Sequence, residues 1–226
     1  MHNWHDRTTA VLSPAAGRMP PSAALHRRTV LLGLTALIGA GLATRVRADD
    51  LSAEMILNDP DAPVSGNPKG DLTIVSFFDY NCPFCKRTVE PLNAVLASDG
   101  DIRHVYKDWP ILAESSIYGA KLALAAKYQD RYEDAYAALM GIDGSRVSEK
   151  RMRQELERAG FDMKRLEADA RRYDSEIVRL LQRNNAQAEG LGLRGTPVFL
   201  IGRFLVASAL DEAGFRQVVK DAREAS

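Results

Sequence analysis

The stretch LTIVSFF at residues 72–78 passes straight into DYNCPFC, and this junction constrains the fold more than any other part of the 226-residue chain. Seven residues rich in β-branched and aromatic side chains are too short for a helix and apolar on both faces. Such a run predicts a strand buried in the middle of a sheet. From Cys82 onward the pattern changes: Val89, Leu92, Val95 and Leu96 fall at helical spacing up to about Ala97. Pro83 sits where the first helical position tolerates proline. Cys82 is therefore expected at a strand-to-helix junction.

The rest of the chain continues an α/β pattern. IRHVYKDW at 102–109 alternates as a second strand and is closed by Pro110. Residues 110–190 read as helical throughout, with SIYGAKLALAAKYQ, RYEDAYAALM, SEKRMRQELERAG and DSEIVRLLQRNNAQAEG punctuated by Gly141, Gly144 and Gly160. The tyrosines Tyr118, Tyr128, Tyr132 and Tyr136 read as helix-packing residues of this stretch. TPVFLI at 196–201 predicts a strand, Gly202-Arg203 turns it into a partner strand FLVAS at 204–208, and an amphipathic helix covers about 211–223. Residues 49–70, rich in Asp, Pro, Gly and Asn, read as an exposed lead-in with at most a short strand around Met55-Ile56-Leu57. The expectation is an α/β domain built from residues 49–109 and 191–226, split by an all-helical insertion at 110–190.

The 30 basic and 30 acidic side chains balance formally, but residues 1–48 carry six arginines (Arg7, Arg18, Arg27, Arg28, Arg45, Arg47) and one acid (Asp6). The remainder holds 24 basic against 29 acidic groups, a net of −5. A mildly acidic body without a basic stripe gives no footprint for nucleic acid, and that class is excluded. Within residues 1–48 the apolar run TVLLGLTALIGAGLA follows Arg27-Arg28 and ends near small residues, with a plausible cut after Ala48. This is a signal-peptide pattern, and the run is shorter than the roughly 20 residues that span a bilayer. HRRTVLL also fits a twin-arginine signal, with a general secretory signal as the alternative. Either Met1 or Met19 can be the start. Export to the periplasm is expected.

The two cysteines of the chain, Cys82 and Cys85, are three residues apart and share one helical turn. Their sulfurs can form a reversible disulfide. Cys82 at a helix start faces unpaired N–H groups and the positive end of the dipole, which favour the attacking thiolate. Cys85, one turn in, is expected to be more buried and to resolve a mixed disulfide after Cys82 has formed it. Rival readings are weaker. Zinc needs four ligands, yet beyond residue 48 the only histidine is His104. Covalent haem needs CxxCH, and residue 86 is Lys. A structural disulfide across one turn restricts the unfolded chain little. No resident metal is expected, while Cu(I) held by the two thiolates stays open because it needs few ligands.

DYNCPFCK after a buried strand, KDWPIL after the next, an all-helical stretch and RGTPVFLIG before the last hairpin together resemble the DsbA family of exported thiol–disulfide oxidoreductases, and within it the ScsC-like branch. The likeness covers nearly all of residues 70–222. It implies a thioredoxin fold with an inserted all-helical domain, no cofactor beyond the Cys82–Cys85 disulfide, and a cis Pro197 against the pair with Thr196 just before it. Spacing alone would equally allow Pro197 as a plain strand start. Pro83 and Phe84 set how far the Cys82 thiolate is stabilised. Strongly oxidising members carry His where this chain has Phe84, so the expected potential lies between about −270 mV for thioredoxin and about −120 mV for DsbA. Relatives often hold an acid six positions before the first cysteine, and here that position is Ser76. Asp79, Lys107 and Asp108 are the nearby ionisable groups; Lys107 and Asp79 are the candidates for proton transfer, although each also reads as a solvated strand-end charge. His104 reads as structural or surface.

The expected function is introduction of disulfides into exported polypeptides by dithiol–disulfide exchange at Cys82–Cys85. A disulfide isomerase or reductase kept reduced by a membrane donor, and a Cu(I)-binding copper-tolerance protein, are the alternatives. Turnover implies a membrane redox partner, a quinone-coupled oxidase or an electron donor. Little room precedes Cys82 for an oligomerising module, so a monomer is expected.

Overall fold

A computed structural model describes residues 48–225, so the leader expected at residues 1–48 falls, but for its last residue, outside the described residues. Five strands form one sheet: β1 (Val64–Gly66), β2 (Leu72–Phe78), β3 (Ile102–Asp108), β4 (Val198–Ile201) and β5 (Phe204–Val206). Their spatial order is β1-β3-β2-β4-β5, with β2 and β3 parallel and every other pair antiparallel. The central position of β2 explains its unbroken apolar character. It has a strand on each side and packing on both faces.

The helices are α1 (Ala53–Leu57), α2 (Pro83–Asp99), α3 (Glu114–Ala126), α4 (Tyr132–Met140), α5 (Glu149–Arg158), α6 (Met163–Arg172), α7 (Asp174–Gly190) and α8 (Glu212–Glu224). Their starts follow local chemistry: Ser52, Ser148, Asp162 and Asp211 each accept a backbone N–H of the first turn. The expected strand at 55–57 is instead the helix α1. Three apolar residues carry no usable period, and the Ser52 cap decides in favour of a helix. The edge strand β1 was not legible, being three residues ending on a glycine.

Side chains alternate across β2 and β3, which pair in register with Phe77 beside Lys107 and Phe78 beside Asp108. Even-numbered residues face α2 and α8. Leu72, Ile74 and Ile102 pack there with Leu92, Val95, Phe215 and Val219, while Phe78 and Tyr106 join the cysteines and the core of the helical segment. Odd-numbered residues face the other way, where Val75, Phe77, Val105 and Trp109 meet Ile56 of α1 and Ala188 of α7. Burying a side chain such as Phe77 stabilises by about 2–3 kcal/mol. The helical segment is tied back to the sheet by polar bonds: Asn184 Nδ2 donates to the Asp108 carbonyl at 3.0 Å and Trp109 Nε1 to Asn185 Oδ1 at 2.9 Å.

Candidate functional site

Strand β2 ends at Phe78, and a three-residue turn, Asp79-Tyr80-Asn81, delivers the chain to Cys82 as the N-cap of α2. The cysteine sulfur takes the place of the usual capping oxygen: Cys82 Sγ accepts the Cys85 N–H at 3.3 Å, and Pro83 follows at the first helical position. The two cysteines are free thiols. Exposure does not separate them as the sequence suggested, since Cys82 is 3% and Cys85 1% exposed. Hydrogen bonding does. The Cys85 thiol is the largest influence on Cys82, and together with the Thr196 side chain and the N–H groups of Cys85 and Phe84 it outweighs burial and brings Cys82 down to about 6. Cys85 is pushed far up, first by burial and then by the neighbouring Cys82 sulfur.

The segment before β4 closes the site from the other side. The Thr196–Pro197 peptide bond is cis, and the Cys82 thiol donates to the Thr196 carbonyl at 3.2 Å. Thr196 Oγ1 is buried with no bond of full hydrogen-bond geometry, yet it lies close enough to favour the Cys82 thiolate. Phe84, half exposed under the Arg87 guanidinium, overhangs a groove of about 560 Å³ lined by Thr196, Pro197, Val198 and Leu205. Cys82, Cys85, Pro83, Phe84, Thr196 and Pro197 are thus brought together in space.

The two candidates for proton transfer are placed differently. Lys107 is on the odd-numbered face, fully buried, 3.4 Å from the Asp59 carboxylate and 3.5 Å from the Met55 carbonyl. Burial lowers it to about 8 against the pull of Asp59. Neither Lys107 nor Asp79 is solvated. The Asp79 carboxylate accepts four bonds, from Asn81 N, Ser116 Oγ, Ile111 N and Leu112 N, at 2.7–2.9 Å. Its lone pairs are filled, and it organises the turn before Cys82 and the loop after β3. Ser76 lies on the cysteine face and bonds His104 Nε2 at 2.8 Å; burial drops this imidazole to about 3, so it stays neutral. Asp108, also on that face, takes bonds from Tyr80 and Tyr132 at 2.9 and 2.7 Å, and burial raises it to about 7.

Two residues flanking the motif escaped the sequence reading. Asn81 Oδ1 accepts the Val147 N–H at 2.7 Å while its amide donates to Ser115 and Ser116, and Lys86 donates to the Ile142 and Gly144 carbonyls at 2.5 and 2.8 Å. Their adjacency to the cysteines was the only available signal. Among the described residues no group of three or more His, Cys, Asp or Glu side chains could hold a metal ion, and no helix is long and apolar enough to cross a membrane. A low-lying thiol beside a high-lying one, bonded to the groove residue Thr196, is suited to making and breaking disulfides.

Comparison with known proteins agrees with this geometry. The family profile described as Thioredoxin matches residues 58–221. A thioredoxin-like oxidoreductase from Silicibacter pomeroyi DSS-3 superposes with a TM-score of 0.73 at 37% identity, over 77% of this chain and 99% of that one. The thiol–disulfide exchange protein α-DsbA2 from Wolbachia pipientis gives 0.70 at 26% identity over 79% and 95% of the two chains. The catalytic domain of Proteus mirabilis ScsC gives 0.67 at 25% identity over 77% and 97%. Among curated sequences, the Na(+)/H(+) antiporter NhaA 1 of Mycolicibacterium gilvum (strain PYR-GCK) is 26% identical over 142 residues, 61% of this chain. The match spans only 23% of that antiporter's length and 25% of that of its counterpart from Mycobacterium sp. (strain KMS). Profile, superposition and cysteine geometry agree: the chain belongs to the thioredoxin family, in its DsbA and ScsC type.

Proposed function

We propose that this protein is an exported thiol–disulfide oxidoreductase that introduces disulfides into exported polypeptides. The observation that carries the direction is the Cys82 thiol held near 6 beside a Cys85 thiol pushed far up. A stabilised Cys82 thiolate makes the reduced enzyme the favoured product and Cys82 the better leaving group.

In the oxidised enzyme a substrate thiolate attacks Cys82 Sγ and breaks the Cys82–Cys85 bond, and Cys85 takes up a proton. A second substrate thiolate then attacks the substrate sulfur of the mixed disulfide. Cys82 leaves as a thiolate with both electrons, and the substrate departs with its new disulfide. The groove under Phe84, Pro197 and Leu205 supports binding of an extended apolar peptide beside Cys82. Re-oxidation requires a quinone-coupled membrane partner. The arginine-flanked apolar run at 29–43 supports export to the periplasm.

The test is the reduction potential of the Cys82–Cys85 pair, equilibrated against glutathione buffers. A value above about −180 mV supports disulfide donation, whereas one near or below about −250 mV makes the protein a reductant and overturns the direction.

A further inference from the structure

The CPFC motif is gripped from both ends by one distant loop. Before it, Asn81 accepts the Val147 N–H; after it, the Lys86 ammonium donates to the carbonyls of Ile142 and Gly144. Both partners belong to the connection between α4 and α5, where Ile142 and Val147 are buried in the cysteine-side core. A surface lysine ordinarily keeps its ammonium hydrated and mobile. This one is half-buried, and two of its three N–H donors are committed to backbone carbonyls just past the C-terminal end of α4. That end of a helix carries the negative pole, so the arrangement suits a cation. Its position is thereby fixed relative to Cys85, the preceding residue, and to Cys82, one helical turn back, whose carbonyl accepts the Lys86 N–H at 3.1 Å.

The charges around this ammonium are Asp143, Asp79 and the two cysteine sulfurs, all of which favour its protonated form against the cost of burial. Attraction between Lys86 and the sulfurs works equally in reverse. A thiolate at Cys82 gains from the cation, and a neutral disulfide gains nothing.

We infer that Lys86 is a positioning residue of the redox site: the 141–147 loop holds its ammonium where it stabilises the Cys82 thiolate, so the helical segment itself sets how oxidising the cysteine pair is. The inference rests on the reading of Cys82 as the exchanging sulfur. It extends that reading by assigning the poise of the pair to a contact outside the motif and outside the segment around Thr196. The electron count of the exchange is unchanged; only the relative stability of the reduced form, with its Cys82 thiolate, and the disulfide form shifts.

The experiment compares wild type, Lys86→Met, Lys86→Arg and Gly144→Ala as full chains. Each is titrated for thiolate absorbance and equilibrated with glutathione, with thermal melting recorded on both redox forms. Lys86→Met removes the charge and keeps the length. It is expected to raise the Cys82 pKa and move the glutathione equilibrium three- to tenfold toward the disulfide, about 15–30 mV more reducing. Lys86→Arg keeps the charge and is expected to restore most of the wild-type value. Gly144 has φ +92 with open space around its Cβ position, so Gly144→Ala strains the loop backbone without touching a charge or a cysteine. It is expected to shift the potential in the same direction by a smaller factor. An unchanged potential and thiolate pKa in Lys86→Met overturns the proposal. A shift in Lys86→Met with none in Gly144→Ala overturns the part assigned to the loop. Oxidation of a dithiol peptide by the wild type, run alongside, tests the oxidase reading separately, because the potential is measured whether or not that peptide is turned over.

Discussion

The Thr196 carbonyl oxygen stands 3.2 Å from Cys82 Sγ, joining two segments 114 positions apart at the more acidic of the two sulfurs. The Thr196 hydroxyl also favours the Cys82 thiolate, so one side chain and one backbone group of this residue act on Cys82. An incoming peptide that pairs with this segment would lie along the groove beneath Phe84.

Thr196→Val removes the hydroxyl and keeps the shape. A well-formed hydrogen bond to a charged group contributes about 1.5–3 kcal/mol, and Thr196 Oγ1 falls short of full geometry, so the Cys82 pKa is expected to rise from about 6 by roughly half to one unit. Thiolate absorbance across a pH titration reads this directly, and an unmoved midpoint contradicts it.

The division of labour between the sulfurs gives a second expectation. Cys85→Ser leaves Cys82 able to form a mixed disulfide that no internal thiol can resolve, so an adduct with a cysteine-containing peptide should accumulate on intact-mass analysis. Cys82→Ser should form no adduct and reduce exchange to background. Equal adduct formation by both variants would show that the two sulfurs are interchangeable.

Lys107 and the cysteines are on opposite faces of the sheet, and this predicts opposite outcomes for stability and chemistry. Lys107→Met leaves Asp59 held by Arg183 at 2.6–2.7 Å but removes a buried charge partner. A loss of about 1–3 kcal/mol in denaturant unfolding is expected, with the Cys82 thiolate midpoint unchanged. A shifted midpoint would support Lys107 as a proton-transfer residue.

Asp108 gives a stability effect with a definite sign. Burial raises its folded-state pKa from 3.8 to about 7, so the folded chain holds this proton more tightly than the unfolded one. Its contribution is complete below about pH 4 and is lost as pH rises through about 7. The stability difference between wild type and Asp108→Asn should therefore decline across that window by up to about 4 kcal/mol, measured by urea unfolding at several pH values. A pH-independent difference would mean that Asp108 titrates normally. The neutral His104 shifts stability in the opposite sense, fully present above about 6.5 and lost as pH falls toward 3. Taking the difference between the two proteins cancels it.

What could be read in the sequence followed from local signals. LTIVSFF showed its burial in composition, CPFC its chemistry in spacing, and the 110–190 stretch its helices in period. What could not be read depends on residues far apart. Asp79 and Lys107 looked like strand-end charges because nothing near them in sequence reveals four donors or an Asp59 partner. One signal was present but unused: period-two alternation puts Asp108, like Ser76 and Phe78, on the cysteine face and Lys107 on the other. Lys86 and Asn81 could be seen as neighbours of the motif, but their shared loop appears only once α4 and α5 are packed.

Both outer strands of the sheet, β1 and β5, are only three residues long. A long bare strand edge offers a ladder of unpaired amides on which any extended polypeptide can continue the sheet. A protein proposed to handle unfolded chains meets such polypeptides at every turnover. With its margins this short, the sheet offers such chains little to extend, which disfavours co-aggregation with them.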